Sequence, residues 1–332
     1  MAAPRQQRID PQSVPAPKPR AKSGRPGGRP PGAPKVKKAT LGDWIGAARP
    51  LTLPLSIAPV ALGTAAAFVL APDDAGPGWH WLRALLCLAV AVFLQIGVNF
   101  ANDYSDGIRG TDKYRVGPAR LTASGAAKPR TVLTVALVFF GLAAAAGLVI
   151  VVQTGHWWLL AVGAVAIVAA WFYTGGKRPY GYNALGEIVA FVFFGLVATV
   201  GTSFVLSGEI PLDAWIAGAA IGSLAAAALL VNNIRDREQD ALVSKRTLAV
   251  LFGNLGSRIL YAVLMLVPFV LLAWFVLLYE NAYLAYFALL AAAPAVLITL
   301  LAKTPPELIT ALKLTSVTAL GYALVLGWAI AF

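Results

Sequence analysis

The stretch NDYSDGIRGTDKYRVGPARL, residues 102–121, carries three aspartates and four basic side chains. It follows directly on WLRALLCLAVAVFLQIGVNFA, residues 81–101, in which Arg83 is the one charge. About 20 apolar residues are what a helix needs to cross a hydrocarbon core of about 30 Å. The junction therefore puts carboxylates at the mouth of a membrane span. A charge at that depth is costly unless something neutralises it.

The same kind of apolar run recurs along the chain. Of 332 residues, 58% are hydrophobic and 13% charged, roughly half the charged share of a soluble domain. Mean hydropathy is +0.72. Nine apolar segments can be marked, at about 52–71, 81–101, 130–152, 157–174, 184–206, 213–232, 257–279, 283–302 and 308–331. The expected fold class is all-α, a polytopic membrane protein with nine transmembrane helices and two aspartate-rich cytoplasmic motifs.

Charge asymmetry orients the expected bundle. Beyond residue 40 there are seventeen Lys/Arg, and sixteen fall in segments on the side of the amino-terminal tail. Arg83 alone falls on the other side, where Asp73, Asp74, Glu209, Asp213 and Glu280 lie. Positive residues stay inside, so the amino terminus is expected in the cytoplasm and the carboxyl terminus outside, in the cell membrane. Trp79, Trp81, Trp157, Trp158 and Trp215 gather at the outer ends as an interfacial belt.

Residues 1–40 hold ten Lys/Arg, one Asp and nine prolines, with no apolar run, and account for +9 of the net charge of +12. Such a segment buries too little surface to offset its ordering entropy and is read as a disordered basic tail drawn to anionic lipid headgroups. It lacks the aromatic residues and folded module of a nucleic-acid binder, so no nucleic-acid partner is expected. The membrane domain is expected over 41–332. Cys87 is the only cysteine, which excludes a disulfide within the chain. His80 and His156 lie in short outer connections and read as solvated loop residues.

A second acidic stretch, VNNIRDREQDALVSKRTLAV at 231–250, lies at the cytoplasmic end of another apolar run. Asn102 and Asp106 are four apart, as are Asn232, Asp236 and Asp240 in succession, so each set shares a helix face. Five carboxylates on two helix ends repel one another. Hard divalent cations such as Mg²⁺ bind carboxylate oxygens and keep positions open for substrate phosphates. Interspersed Arg and Lys add contacts to phosphate oxygens. The physical reading is a diphosphate clamp at the membrane surface over apolar spans that accommodate a hydrocarbon tail. The alternative is that both stretches are solvated loops whose acids pair with neighbouring bases. The spacing Asn-x-x-x-Asp also repeats at an interval of 130 residues, which hints at an internal duplication.

NDYSDGIRGTD followed by NNIRDREQD resembles the two aspartate-rich motifs of the UbiA family of intramembrane prenyltransferases. GPARLTASG at 117–125, YTGGKRPYGYNALGE at 173–187 and KRTLAVLFG at 245–253 resemble the branch acting on 1,4-dihydroxy-2-naphthoate in menaquinone biosynthesis. The resemblance covers about 40–332 and implies nine helices around a central cavity. It also implies Mg²⁺-dependent transfer of a polyprenyl group from polyprenyl diphosphate to 1,4-dihydroxy-2-naphthoate with loss of CO₂, giving demethylmenaquinol.

On that resemblance, Asn102, Asp103, Asp106 and Asp112 are expected to hold one Mg²⁺, and Asn232, Asp236 and Asp240 the other, with the five aspartates as the catalytic set. Arg120, Lys177, Arg178, Lys245 and Arg246 are candidates for diphosphate contacts, with Asn233 nearby. Arg235 is a candidate to pair with a carboxylate. Arg49 is a candidate for the naphthoate carboxylate or the diphosphate. Tyr173 and Tyr180 are placed to bracket the cation or the ring. Glu187, early in its span, either answers the helix dipole or accepts a ring-hydroxyl proton.

Three rival readings are set against this one. A 4-hydroxybenzoate prenyltransferase would share both motifs. A CDP-alcohol phosphotransferase would share the opening Asp103-Tyr-Ser-Asp106-Gly107 but not its continuation. An ion or solute transporter would place acids in span centres, whereas these sit at span ends.

Overall fold

The computed structural model describes residues 37–71, 80–114 and 120–332. The tail up to residue 36, Asp73, Asp74, Trp79, Arg115 and the first three residues of GPARLTASG lie outside the described residues. Among the described residues the secondary structure is helical, apart from one isolated bridge between Asn183 and Arg246.

Ten helices follow in order: α1 (Leu41–Ala47), α2 (Pro54–Phe68), α3 (Trp81–Arg109), α4 (Pro129–Thr154), α5 (Leu159–Phe172), α6 (Gly186–Ser207), α7 (Leu212–Leu242), α8 (Leu248–Leu278), α9 (Ala282–Leu301) and α10 (Pro305–Ala331). All nine apolar segments are helical. Seven of the described helices are long and apolar enough to cross a membrane, and the bent pair Leu41–Thr52 plus Pro54–Phe68 makes an eighth. Helix α5 has 14 residues, about 21 Å of rise, and is short of a full crossing. The count of nine spans is therefore not reached on length alone.

Helices α3 and α7 run well beyond their apolar stretches. At 29 and 31 residues they rise about 44 and 46 Å, so both acidic motifs ride on helical extensions rather than loops. Gly110 ends α3 with φ 73, the left-handed conformation that glycine adopts without penalty.

The chain between α1 and α2 bends by 46° around Pro50 and Pro54. Non-helical backbone at membrane depth must find partners within the protein. Helix α3 supplies them: Gln95 Nε2 donates to Thr52 O at 2.8 Å and Asn99 Nδ2 to Ala48 O at 2.9 Å. Ser56 in turn donates to Gln95 Oε1. Arg49 sits inside this break at φ 57, a strained conformation for a residue with a side chain.

Helix α7 lies at the centre and is buried along most of its length. Its run GAAIGSLAAAALL is small enough for neighbours to approach closely. A Cβ on Gly195 would fall 2.4 Å from Gly222 Cα and 2.5 Å from Gly218 O, so α6 crosses α7 almost backbone to backbone. Around this crossing α6 adopts a π-helical segment, Phe191–Val197. Pro268 within α8 has no N–H and frees the carbonyl of Leu264, which accepts Ser223 Oγ of α7 at 2.8 Å. Leu, Val and aromatic side chains on the outer faces of α4, α5 and α8 are exposed, as lipid contact requires.

Candidate active site

Gln95, Asn99, Asn102 and Asp106 recur at intervals of four, three and four, one face of α3. The first two hold the broken α1–α2 segment. Asn102 Oδ1 accepts Thr174 Oγ1 at 2.7 Å, from the connection between α5 and α6. Asp106, 2% exposed, receives the hydroxyl of Tyr182 at 2.7 Å on Oδ1.

The other oxygen of Asp106 faces two cations. Lys245 Nζ lies 3.8 Å from Asp106 Oδ2 and 3.7 Å from Asp240 Oδ1. Arg120 reaches Asp106 Oδ2 at 3.9 Å and, through Nε, Asp112 Oδ2 at 3.4 Å. Lys245 follows the end of α7, and its backbone N–H donates to Asp240 O at 2.9 Å, which fixes it beside that aspartate. One ammonium thus spans carboxylates that are 134 positions apart in the sequence. The two acidic motifs meet, and these acids pair with bases, but in a buried cluster rather than in solvated loops.

Tyr182 is the hub of this cluster and escaped the sequence reading. Its ring lies 4.5 Å from Lys245 Nζ and 5.7 Å from the Arg109 guanidinium carbon, both within cation–π range. Its carbonyl accepts the N–H of Arg246 at 2.9 Å, tying the α5–α6 and α7–α8 connections together. Burial, with the Asp106 carboxylate next in effect, pushes its hydroxyl above the usual phenol range, so it stays a proton donor. Arg109 was likewise not singled out. It donates to the carbonyls of Thr174 and Gly176 and closes the same connection onto the end of α3. The signal available was the second tyrosine of PYGYN, two places beyond Tyr180.

Other candidates sit at the edge of the cluster. Tyr173 and Tyr180 meet edge to face with centroids 5.6 Å apart, and Tyr180 donates to Ala169 O at 2.7 Å. Tyr173 lies within electrostatic reach of Glu187, Asp106 and Arg49. Buried Glu187 accepts Asn233 Nδ2 at 2.8 Å, joining the first turn of α6 to the second motif. Asp236 is held bidentately by Arg235, with both N···O distances 2.7 Å.

The remaining candidates brace backbone groups or lie exposed at the rim. Asp103, 1% exposed, accepts the backbone N–H groups of Leu121 at 2.9 Å and Thr122 at 2.8 Å. Its two oxygens brace the turn that carries Arg120. Asn232 donates back to Ala228 O of its own helix at 3.1 Å. Lys177, Arg178 and Arg246 have exposed side chains.

Among the described residues no three His, Cys, Asp or Glu side chains gather closely enough to cage a metal ion. The donors are hard carboxylate oxygens, presented singly and faced by cations. They fit Mg²⁺ carried on one or two carboxylates with water and phosphate oxygens completing its shell, and do not fit a closed all-protein site.

The described residues thus form a multi-pass helical membrane protein with a buried meeting of carboxylates and cations at one end of the bundle. The chain belongs to the UbiA prenyltransferase family, whose profile matches residues 60–317. It is 49% identical over 233 residues to the 1,4-dihydroxy-2-naphthoate octaprenyltransferase of Mycobacterium tuberculosis, covering 70% of this chain and 77% of that protein. To the Escherichia coli enzyme of the same name it is 36% identical over 238 residues, covering 70% and 75%. The backbone matches the apo UbiA homolog of Aeropyrum pernix K1 with a TM-score of 0.62 at 16% identity, over 85% of this chain and 98% of that one. It matches the Archaeoglobus fulgidus homolog solved with GPP and Mg²⁺ with a TM-score of 0.59 at 17% identity, over 87% and 99%. At that identity the likeness establishes the shared fold.

Proposed function

We propose that this prenyltransferase moves a polyprenyl group from polyprenyl diphosphate onto 1,4-dihydroxy-2-naphthoate, in a Mg²⁺-dependent reaction that releases CO₂ and yields demethylmenaquinol. The observation that carries the reading is Lys245 lying within 4 Å of Asp106 and Asp240, one from each acidic motif. The names of the relatives support the acceptor and the chain class. The wide gap between Asp106 and Asp112 supports the same branch.

Asp106 and Asp112, with Asn102, would hold one Mg²⁺, and Asp236 and Asp240, with Asn232, the other. When bound, the ions supply Lewis-acid stabilisation of the leaving diphosphate. Arg120 and Lys245 are aimed at the same charge as fixed cations, which need no reorganisation as the allylic C–O bond breaks. Lys177, Arg178 and Arg246, at the exposed rim, meet the incoming diphosphate. The apolar interior keeps water from the allylic cation. Tyr173 and Tyr180 present ring faces and edges to it. Arg49 holds the acceptor's carboxylate, and Glu187 takes a proton from a ring hydroxyl. The ring carbon that bears the carboxylate then bonds to the prenyl carbon as its bond to the diphosphate breaks, CO₂ leaves with its bonding pair returned to the ring, and Glu187 gives the proton back to the ring oxygen. Asp103 serves this scheme by holding the Arg120 turn.

The membrane domain of this scheme is 41–332, in the cell membrane with the acidic cluster on the cytoplasmic side. Residues 1–40 act as a basic tail on anionic lipid. Deleting residues 1–38 is expected to leave turnover intact in detergent.

The decisive experiment incubates purified protein with MgCl₂, a polyprenyl diphosphate and dihydroxynaphthoate, and follows prenylated quinol and CO₂. Turnover persisting in Asp106→Ala and Asp236→Ala overturns the metal assignment. Product with 4-hydroxybenzoate in place of the naphthoate overturns the acceptor.

A further inference from the structure

The end of the bundle away from the acidic cluster holds a polar cavity of about 280 Å³. It lies where the start of α3 meets the ends of α4 and α6. Arg83, His80, His156 and Thr154 line it, with Phe204 and Leu206 forming its apolar wall.

The charge here is unusual for this chain. Arg83 is the one Lys/Arg that the sequence assigns to this end, against sixteen at the other. Its guanidinium donates to the carbonyls of Val205 and Gln153, each at 3.4 Å, and among the described residues no carboxylate lies within 4 Å of it. Guanidinium has five N–H donors, so two long bonds to carbonyls leave most of that capacity unused. The imidazole of His156 packs edge-on against Phe204 with centroids 4.8 Å apart. Its Nδ1 is enclosed and has no hydrogen-bond partner among the described residues. An enclosed ring nitrogen without a partner is costly unless a ligand or water completes it.

Depth says what such a ligand is. Trp81, Trp157 and Trp158 directly adjoin His80 and His156 in the chain and are 58%, 63% and 53% exposed. Tryptophans presented in this way sit at the headgroup level of a bilayer. The cavity is therefore at the depth of the lipid phosphates, and Arg matches phosphate oxygens bidentately.

We propose that this cavity binds the phosphate of an anionic phospholipid headgroup. Arg83 grips the phosphate and His156 donates to it. Phe204, Leu206 and Leu70 cover the glycerol end of the acyl chains. The protein thus carries a structural lipid on the face opposite its reaction centre, joining α3, α4 and α6. Burial first, and the charge of Arg83 second, hold the His80 imidazole below its ordinary pKa, so Arg83 supplies the positive charge at neutral pH.

The test is native mass spectrometry of the full chain released from nanodiscs of phosphatidylglycerol and phosphatidylcholine in equal parts. Wild type is expected to retain phosphatidylglycerol, and Arg83→Gln to lose about tenfold in retention. His156→Phe keeps the ring packing and is expected to lose retention in the same direction, which covers the case of an Arg83 variant that fails to fold. Lys303→Gln, at the other end, should retain lipid as wild type does. Equal retention of phosphatidylglycerol in all variants overturns the proposal, as does preference for phosphatidylcholine. Inorganic phosphate that displaces the lipid at millimolar concentration shows a free-anion site instead and also overturns it. Prenyl transfer by Arg83→Gln should proceed at the wild-type rate, so failure here leaves the reaction assignment separately testable.

Discussion

Tyr182 donates its hydroxyl to Oδ1 of Asp106 across 2.7 Å, while Lys245 faces the other oxygen of the same carboxylate at 3.8 Å. One aspartate is thereby held between a neutral donor and a cation from different connections. The same tyrosine ring supports Lys245 from below. Orientation of the acid and placement of the cation are coupled through a single side chain.

Tyr182→Phe keeps the ring under Lys245 and removes the bond to Asp106. Hydrogen bonds to charged groups are worth about 1.5–3 kcal/mol. The prenyl-transfer rate is expected to fall about tenfold, with the larger loss in Tyr182→Ala, where ring and hydroxyl both go. Steady-state kinetics on both variants checks the order.

Lys245→Gln removes the cation that Asp106 and Asp240 share and leaves Arg120 beside Asp106. Breaking a buried pair on one side costs about 3–5 kcal/mol. The melting temperature in detergent should fall, and MgCl₂ should raise it more in this variant than in wild type, because an added cation then restores part of the positive charge removed with Lys245. Equal Mg²⁺ shifts in the two proteins would count against both carboxylates serving the metal.

Asp103 and Asp106 should respond differently to the same change. Asp103→Asn replaces an acceptor of two N–H groups with a side chain that has one acceptor and one donor, so the Arg120 turn loosens. Activity should drop while the Mg²⁺ concentration for half-maximal rate stays near wild type. Asp106→Asn should raise that concentration, and Mg²⁺ titrations of the rate separate the two.

Two glycines test packing at different distances from the chemistry. A Cβ on Gly107 would lie 2.4 Å from Thr122 Cγ2 and 3.1 Å from Ala123 N, in the turn that carries Arg120. Gly107→Ala should reduce turnover more than stability. A Cβ on Gly222 would meet Phe191 O at 2.7 Å, backbone that cannot rotate aside. Gly222→Ala should cost about 1–3 kcal/mol of stability, read as a lower melting temperature.

Burial lifts the Tyr180 hydroxyl to about 12, above the ordinary phenol value of about 10. The folded state holds this proton after the unfolded chain has lost it. Its contribution to stability is therefore complete below pH of about 10 and is lost as pH rises towards 12. Tyr180→Phe should flatten the alkaline fall in melting temperature across that window.

Some of this was open to inspection in the linear chain, and the reason is locality. Apolar runs of bilayer length determine helices because every backbone bond is satisfied within the segment, so each of the nine segments proved helical. The acids at 102–112 and 236–240 were legible as candidates because charge beside such runs is expensive. Glu187 and Asn233 each stand out in the linear chain as polar residues at span ends, but their 2.8 Å hydrogen bond to one another does not.

Only packing decided the pairings. Asp103 and Asp106 stand three positions apart on one helix, yet one braces a turn and the other faces Lys245, because their side chains leave α3 in different directions. Tyr182 outranks Tyr180 because its hydroxyl, not its neighbour's, reaches the cluster. Gln95 and Asn99 are spent on the broken α1–α2 backbone, a need invisible until that break is seen beside α3. Composition and period by themselves determined a multi-pass helical protein with two acidic motifs. Which cation meets which carboxylate was decided by tertiary structure, since contacts between distant segments depend on how whole helices pack and not on the local sequence of either.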